Sequence, residues 1–593
     1  MNSLWSWLIS ADPALLDEAT AELREGHRSF LSGQPQQGLA AAAAALRLNP
    51  EDIPALVLSA DCFHAFAQSI QALELLNKTC SLSKNSTSLE VLTSEYLLRI
   101  GRPADAQLRL ERVLLKSSES TENYSSELYL LARECYIKVL VSQGLYEKAW
   151  LELQASLPFC ERLAGQAVEI LQKLGQDGEA LLWAQKYHDV ILNDDSALLL
   201  ANSYFRCGNV TAYGDTLLEA AQACPEQSSL GTLAAQALFD RSDHPHTLEA
   251  ATKCLDSVLS RQPQVFEAFY LHSRQLLLDG SFVDGWKAYE ARLRLPSSQL
   301  YAACPSDWSG EHPGGKSVVV VAEQGVGDVL FFARFLPQLA SEAARVFLLA
   351  NARLAPLLRR SYPQIIILEQ PSLASALAGS DALWIPLGSL PLRYGSSLNA
   401  IQASLVQPQL KTHPRLDSAW RLELPDRCCQ KLRIGISLTA GNVHQAYQQQ
   451  KRDVDAGIVA VALDGLDACL VDLQHRDRLV NVFGCNAIHF PGITEDLDQL
   501  CALINQLDVL VSSDQTNAFL AGMLGVPTVA IVPPNPHFMF MRAGERTPWF
   551  SSLRIVRAKR WADWAGCQSA IRASIDSLLT EHTPTLQHDP LAP

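Results

Sequence analysis

A helical-repeat array followed by two α/β units is the architecture this sequence predicts. Up to about Ser298 the chain is rich in Ala, Leu, Glu and Gln, has almost no β-branched runs, and repeats its apolar residues at helical spacing. After the linker Leu295 to Gly315, which is rich in Pro, Ser and Gly, short apolar runs alternate with helical segments. Where the textures meet stands Ala322-Glu323-Gln324-Gly325-Val326-Gly327-Asp328-Val329-Leu330, directly behind the β-branched run Val318 to Val321. That order reads as a buried strand, a glycine-containing turn and a helix beginning near Asp328.

In the first half, Gly33, Gly101, Gly144, Gly175, Gly208 and Gly280 mark turns between helices. Gly33 to Gly101 is 68 residues, two units of 34, while Gly144 to Gly175 is 31 and Gly175 to Gly208 is 33. The unit Val141-Ser142-Gln143-Gly144-Leu145-Tyr146-Glu147-Lys148-Ala149-Trp150 is echoed by Leu278-Asp279-Gly280-Ser281-Phe282-Val283-Asp284-Gly285-Trp286. Small residues at and after the turn let two helices pack closely, and Pro50, Pro158, Pro225 and Pro263 are expected at the ends of second helices. As a series these units resemble tetratricopeptide repeats, about eight of them, with those near Ala67 and Asp243 degenerate. Such a stack offers a groove for an extended peptide or another protein, or else it only braces the second half.

In the second half the expected strands are Ser317 to Ala322, Arg345 to Leu349, Ile365 to Leu368 and Ala382 to Ile385. A polar stretch from about Ser396 to Lys431 intervenes. A second series follows: Leu432 to Leu438, Cys469 to Leu473, Ala487 to Phe490, Val509 to Ser512 and Thr528 to Val532. Each series fits an open, mostly parallel sheet wrapped by helices, and two in tandem place a cleft beyond the carboxyl ends of strands.

Composition narrows the function. With 63 acidic against 48 basic residues in 593, the net charge of -15 argues against a general nucleic-acid binder. No apolar run reaches the roughly 18 to 20 residues of a membrane span, and Met1 to Ser10 lacks the features of a secretion signal, so a soluble cytoplasmic protein is expected. The 14 cysteines are scattered without a Cys-x-x-Cys pair. Reduced, mostly buried thiols are expected, with no disulfide framework and no zinc site.

At the junction, Gly325 and Gly327 are expected to let the backbone turn sharply and approach a ligand. Asp328 either caps the following helix or accepts a proton from a hydroxyl. Around this loop the motifs carry a family resemblance. Gly285-Trp286-x-x-Tyr289-Glu290-x-Arg292, Trp308-x-Gly310, Glu323-Gln324-Gly325-x-Gly327-Asp328 and Phe332-Ala333-Arg334-Phe335-Leu336-Pro337 come first. Gly435-Ile436-Ser437, Gly441-Asn442, Lys451-Arg452, Leu473-Gln474, Leu507 to Asp514, Leu520 to Gly525 and Thr547-Pro548-Trp549-Phe550 follow in order. The set resembles bacterial tetratricopeptide-repeat glycosyltransferases of the GT-B type, related to the lipopolysaccharide heptosyltransferases and to O-GlcNAc transferase.

The resemblance implies a helical domain over residues 1–298, a first Rossmann-like, acceptor-side domain over 299–410 and a second, nucleotide-sugar-side domain over 411–580; the tail 581–593, with Pro584, Pro590 and Pro593, is expected to be disordered. The resemblance also implies Asp328 as the base that deprotonates the acceptor hydroxyl. Gly325, Gly327, Lys451, Arg452, Gln474, Asp514, Gln515, Thr516 and Asn517 become the donor-binding set. Lys451 and Arg452 match the basic position that neutralises the donor's diphosphate, a solvated surface pair being the alternative. N–H groups at Asp514 to Asn517 are placed to hold a phosphate or sugar. Asp453-Val454-Asp455 is read as a helix start, and no metal or other cofactor is expected.

The chain departs from the family pattern on the donor side. Asp514-Gln515 replaces Asp-Thr, Phe519 replaces a His, and Pro533-Pro534-Asn535-Pro536-His537-Phe538-Met539-Phe540 replaces an aromatic, Trp-containing segment. The implied activity is transfer of a sugar from a nucleotide-activated donor to a protein hydroxyl, with the repeats holding the acceptor. Flagellin Ser/Thr as acceptor and a CMP-linked nonulosonic acid as donor are within this reading. A heptosyltransferase-like enzyme acting on a lipid or polysaccharide, and a non-catalytic repeat scaffold with a decayed transferase half, are the rival readings.

Overall fold

The computed structural model describes Leu4, Ser6 and residues 20–83, 87–118, 127–156, 163–191, 193–241, 245–295, 308–370, 382–404, 409–428, 431–439, 451–474 and 487–582. The chain divides into two compact units, Met1–Thr216 and Leu217–Pro593.

Among the described residues, helical pairs run from Ala21–Leu31 with Pro35–Leu48 to Asp194–Arg206 with Val210–Ala223. Two further pairs, Ser228–Arg241 with Pro245–Arg261 and Phe266–Leu278 with Phe282–Tyr289, lie in the second unit. That makes eight pairs, as the period implied. The glycines at 33, 101, 144, 175, 208 and 280 all have φ between 74° and 84°, the left-handed conformation that glycine adopts without a Cβ penalty. At Gly101 the turn closes with its N–H on the Leu98 carbonyl at 3.1 Å and the Arg102 N–H on Leu97 at 2.8 Å. Ala67 takes the same conformation, φ 59°, in the degenerate unit. The small residues after the turns, Ala106, Ala149 and Ala180, are wholly buried, so paired helices approach closely there. Pro50, Pro225 and Pro263 each follow a second helix of a pair; Pro158 and Asp243 lie outside the described residues.

The second unit carries two all-parallel sheets. In the first, β1 (Ser317–Val321), β2 (Arg345–Leu349), β3 (Ile366–Leu368) and β4 (Leu383–Pro386) are ordered β3-β2-β1-β4. In the second, β5 (Leu432–Ser437), β6 (Ala468–Asp472), β7 (Ala487–His489), β8 (Val509–Ser513), β9 (Thr528–Val532) and β10 (Leu553–Arg557) are ordered β10-β9-β8-β5-β6-β7. The second sheet has the doubly wound order in which the strand sequence reverses between its first and fourth strands, and that reversal opens a crevice at the carboxyl edge. The first sheet reverses likewise between β1 and β4.

Sequence patterning placed nine of these strands within a residue of their observed ends, because each is a β-branched or aliphatic run. The tenth, Leu553–Arg557, was not anticipated. It is an edge strand with Arg554 and Arg557 inside it, and an edge needs burial on one side only. The polar stretch 396–431 contains two helices, Leu398–Ala403 and Pro414–Cys428. Contrary to the expectation of reduced thiols, Cys428 and Cys469 are joined as a disulfide between that second helix and β6, their Cα atoms 5.2 Å apart. Helix Gln568–His582 runs past residue 580 and holds Glu581 in ion pairs with Arg546 and Arg554. The tail beyond it, and Gly441-Asn442, lie outside the described residues. Among the described residues no helix is long and apolar enough to cross a membrane.

One core joins the last helical pair to both sheets. Trp286, fully buried, presents ring edges to Tyr289 at 5.5 Å, Phe538 at 5.4 Å and Trp549 at 6.2 Å, and its Nε1–H donates to the Gly395 carbonyl at 2.9 Å. The motif tryptophan is a hub through which the final repeat, the first sheet and the loop after β9 share one apolar interior.

Candidate active site

The loop after β1 is fixed from beneath by the last repeat. Glu323 is buried; its Oε1 accepts from Arg292 Nη2 at 2.8 Å and from the Gly388 N–H at 2.9 Å. Arg292 also pairs with Glu290, and Gln324 Oε1 accepts from the Tyr289 hydroxyl at 3.0 Å. Three polar residues of the Tyr289-Glu290-x-Arg292 motif are therefore spent on shaping the Glu323-Gln324 turn. Charge-assisted hydrogen bonds in a buried setting make that turn rigid.

Helix Val326–Ala333 follows, with Gly325 as its first capping residue and no side chain capping it. Asp328 therefore does not act as the helix cap. Gly325 has φ -62°, so no left-handed turn requires a glycine there. Gly327 is required by space instead. A Cβ on it would stand 3.1 Å from Phe519 Cδ2 and 3.2 Å from Thr516 Oγ1, because the first turn of this helix packs against helix Thr516–Leu524 behind β8. The carboxyl edges of the two sheets face each other at this seam.

Asp328 projects beside it. Its Oδ1 is 3.6 Å from His537 Nε2, and the two side chains are 30% and 26% exposed. Burial, then the neighbouring Glu323 carboxylate, push Asp328 up to about 6, against the opposing pull of Arg274; Asp514 adds to the rise and Arg452 opposes it. Burial, and then the cations Arg274, Arg452 and Lys451, hold His537 well below the ordinary imidazole value. A carboxyl that titrates near neutrality next to a neutral imidazole is suited to taking a proton. His537 is located by its backbone, whose N–H donates to Asp514 Oδ2 at 2.8 Å, and its ring lies 5.8 Å from that of Phe519. The imidazole thus stands in space beside the position where the resemblance expected a histidine in sequence.

The expected donor set divides. Arg452, partly buried, acts electrostatically on both Asp328 and His537; Asp514 and Thr516 lie at the same seam. Lys451 departs from both expectations for it, being neither a solvated surface residue nor a cation open to a phosphate. It is 2% exposed and ion-paired with the fully buried Asp240 of helix Ser228–Arg241. Asp240 also accepts from Asn535 Nδ2 at 2.8 Å and from Gln236 Nε2 at 2.6 Å. Gln474, Gln515 and Asn517 bond the chain itself. Gln474 Oε1 accepts from the Leu438 N–H at 2.7 Å, Gln515 Nε2 donates to the Ser437 carbonyl at 2.6 Å, and Asn517 Nδ2 donates to Ser437 Oγ at 2.8 Å. These amides knit the ends of β5, β6 and β8 together. Asp455 caps helix Ala456–Leu463 by accepting from the Gly457 N–H at 2.8 Å, as read from the sequence. Among the described residues no cluster of three or more His, Cys, Asp or Glu is arranged to hold a metal ion.

His537, Arg274 and Asp240 were missed by sequence reasoning. His537 sits in a proline-rich segment with no strand or helix pattern to aim it, and the other two lie on helices that repeat periodicity assigns wholly to the solenoid.

No family model matches the chain. It is 24% identical over 318 residues to Protein FlbA of Caulobacter vibrioides, covering 49% of this chain and 51% of that protein, so the match spans about half of the relative's length. Among solved structures, the chain is similar to the ADP-heptose lps heptosyltransferase II of E. coli with TM-score 0.31 and 17% identity, over 45% of this chain and 99% of that one. It is similar to a glycosyl transferase family 9 protein from Veillonella parvula DSM 2008 with TM-score 0.33 and 12% identity, over 46% and 99%. It is also similar to PilW, a type IV pilus biogenesis factor, with TM-score 0.31 and 19% identity, over 36% and 99%. Scores of that size do not establish correspondence of whole folds. The strand orders and helical pairs described above define this chain as a helical-repeat array joined to two parallel α/β sheets.

Proposed function

We propose that this chain is a glycosyltransferase of the metal-independent GT-B type that moves a sugar from a nucleotide-activated donor to a protein hydroxyl, in the cytoplasm, with the repeats holding the acceptor protein. The observation that carries the reading is Asp328, a carboxyl pushed to about 6 at the seam between the carboxyl edges of two parallel sheets. In this scheme the acceptor oxygen attacks the anomeric carbon while its proton passes to the Asp328 carboxylate. The bond from the anomeric carbon to the donor's phosphate oxygen breaks, and Arg452 meets the charge left on that oxygen. His537 stays neutral beside the carboxylate. Flagellin Ser/Thr as acceptor and a CMP-linked nonulosonic acid as donor are the finer form of the proposal, with a lipid or polysaccharide acceptor as the enzymatic alternative.

A thermal-shift screen of the full chain against UDP, GDP, ADP, CMP and their sugar conjugates tests it, since a ligand that binds only the folded state must stabilise it. The expected result is stabilisation by one nucleotide, lost in Arg452→Ala and kept in Asp328→Ala. A second reading, a repeat scaffold whose transferase half has decayed, is favoured by Phe519 and by the commitment of Lys451 to Asp240. Absence of any shift across the screen selects that reading.

A further inference from the structure

Arg274 lies on helix Phe266–Leu278, the first helix of the last repeat pair, and that helix packs against the loop that carries His537. Both helical neighbours of Arg274 along the same face touch this region. Four residues earlier, the Tyr270 ring lies 5.6 Å from that of Tyr289, whose hydroxyl holds Gln324. Four residues later, the Leu278 carbonyl accepts from the Arg542 N–H at 2.9 Å. Residues at i, i+4 and i+8 share a helix face, so Arg274 stands on the face that carries Tyr270 and Leu278. Its charge acts on Asp328, His537, Lys451 and Tyr270 together. Three nearby cations have carboxylates assigned: Arg542 with Asp279, Lys451 with Asp240 and Arg292 with Glu290 and Glu323. Arg274 forms no ion pair or hydrogen bond of its own among the described residues, although it is partly buried. A partly buried guanidinium without an ion-pair partner among the described residues is the arrangement that recognises an anionic oxygen group.

We propose that Arg274 is an anion-binding residue of the site at Asp328, contributed by the repeats, and that with Arg452 it clasps the negatively charged part of the substrate. The ligand chemistry is a phosphate of the donor nucleotide or a sugar carboxylate, and the proposal rests on the glycosyl-transfer reading of the same site. It makes the last repeat pair part of the binding site as well as a support for it. Lys451, pointed at Asp240, is replaced in this duty by a residue from 177 positions earlier in the chain.

The test is calorimetric titration of the full chain with CMP, UDP, GDP, ADP, inorganic pyrophosphate and N-acetylneuraminic acid. Wild type is compared with Arg274→Ala, Arg274→Lys, Arg452→Ala and, as a remote control, Arg359→Ala. Unchanged melting temperature confirms that each variant is folded. Losing one charge-assisted contact weakens the bound probe by about tenfold or more in Arg274→Ala, with partial recovery in Arg274→Lys and none of this in Arg359→Ala. Weakening of the nucleotides and pyrophosphate assigns the contact to phosphate; weakening of the acidic sugar alone assigns it to the carboxylate. Arg274→Ala binding within twofold of wild type, while Arg452→Ala is impaired, overturns the role of Arg274 and leaves the transferase reading standing. No binding of any probe by wild type overturns both.

Discussion

His537 Nε2 stands 3.6 Å from Asp328 Oδ1, the carboxylate coming from the helix behind β1 and the imidazole from the loop behind β9. The distance is longer than a hydrogen bond, and the two groups are not an ion pair at neutral pH, because burial and the cations Arg274, Arg452 and Lys451 keep the imidazole neutral. On the proposed transferase reading, activity is expected to rise with pH through about 6 as Asp328 loses its proton. Asp328→Asn lowers kcat/KM by about 100-fold or more, the scale of a lost general base. A pH profile flat from 5 to 8 in the wild-type chain excludes Asp328 as the base.

Stability carries the opposite signature. Asp328 is raised from 3.8 to about 6 on folding, so between those values the folded chain binds more protons than the unfolded one and stability falls as pH rises. His537 is lowered from 6.5, so its contribution is lost as pH falls below that value. Asp328→Asn removes the first decline. Urea midpoints of wild type and Asp328→Asn between pH 4 and 7 are expected to converge at the acid end and separate, with the variant higher, at the neutral end.

Lys451 and Asp240 form a buried pair whose partners stand 211 residues apart in the chain. Burial lowers Lys451, and the Asp240 carboxylate opposes that shift. Removing one partner strands the other charge, so Lys451→Met or Asp240→Leu alone is expected to destabilise the second unit by about 3–5 kcal/mol. The double variant is expected to recover much of that loss, since neither charge remains buried. Denaturant unfolding of the four chains closes the cycle, and additive losses in the double variant refute the pair.

These two pairs mark where the sequence stops being legible. Strands such as Arg345–Leu349 and Thr528–Val532 are written locally, as four apolar residues in succession after a polar first residue, and most repeat turns are written as glycines at a near-constant period. A pairing such as Lys451 with Asp240 has no local signature. It depends on how the last repeats dock on the second sheet, and a basic residue next to an arginine reads equally well as a phosphate ligand. Phe519 showed that a histidine was absent from one helix. Only the packing of the loop after β9 against that helix reveals His537 beside it.

Ala67 offers a test confined to the repeats. It lies 34 residues after Gly33 and 34 before Gly101 and adopts φ 59° where they adopt 84° and 75°. The left-handed conformation costs a non-glycine residue about 1–2 kcal/mol, partly offset by the smaller unfolded-state entropy of alanine. Ala67→Gly is therefore expected to stabilise the first unit by up to about 1 kcal/mol, and Gly101→Ala to destabilise it by a similar amount. Hydrogen exchange at the flanking helices Ile53–Ala65 and Ser69–Leu82 reads the change; slower exchange in Ala67→Gly is the expected sign.

Gly327 tests whether the seam between the sheets is as tight as its geometry indicates. A methyl group there meets Phe519 at 3.1 Å and Thr516 Oγ1 at 3.2 Å. Phe519 cannot retreat easily, being 5% exposed and stacked on Phe550 at 6.1 Å and beside Phe540 at 5.6 Å. Gly327→Ala is expected to cost about 1–3 kcal/mol, the range for an extra carbon forced into a packed interior, and to lower activity by shifting Asp328 away from His537. Phe519→Leu opens space on the facing helix, so Gly327→Ala/Phe519→Leu should be more stable than the sum of the two single changes predicts. If the two losses simply add, helix Val326–Ala333 moves freely of helix Thr516–Leu524, and the position of Asp328 is set by the Glu323-Gln324 turn alone.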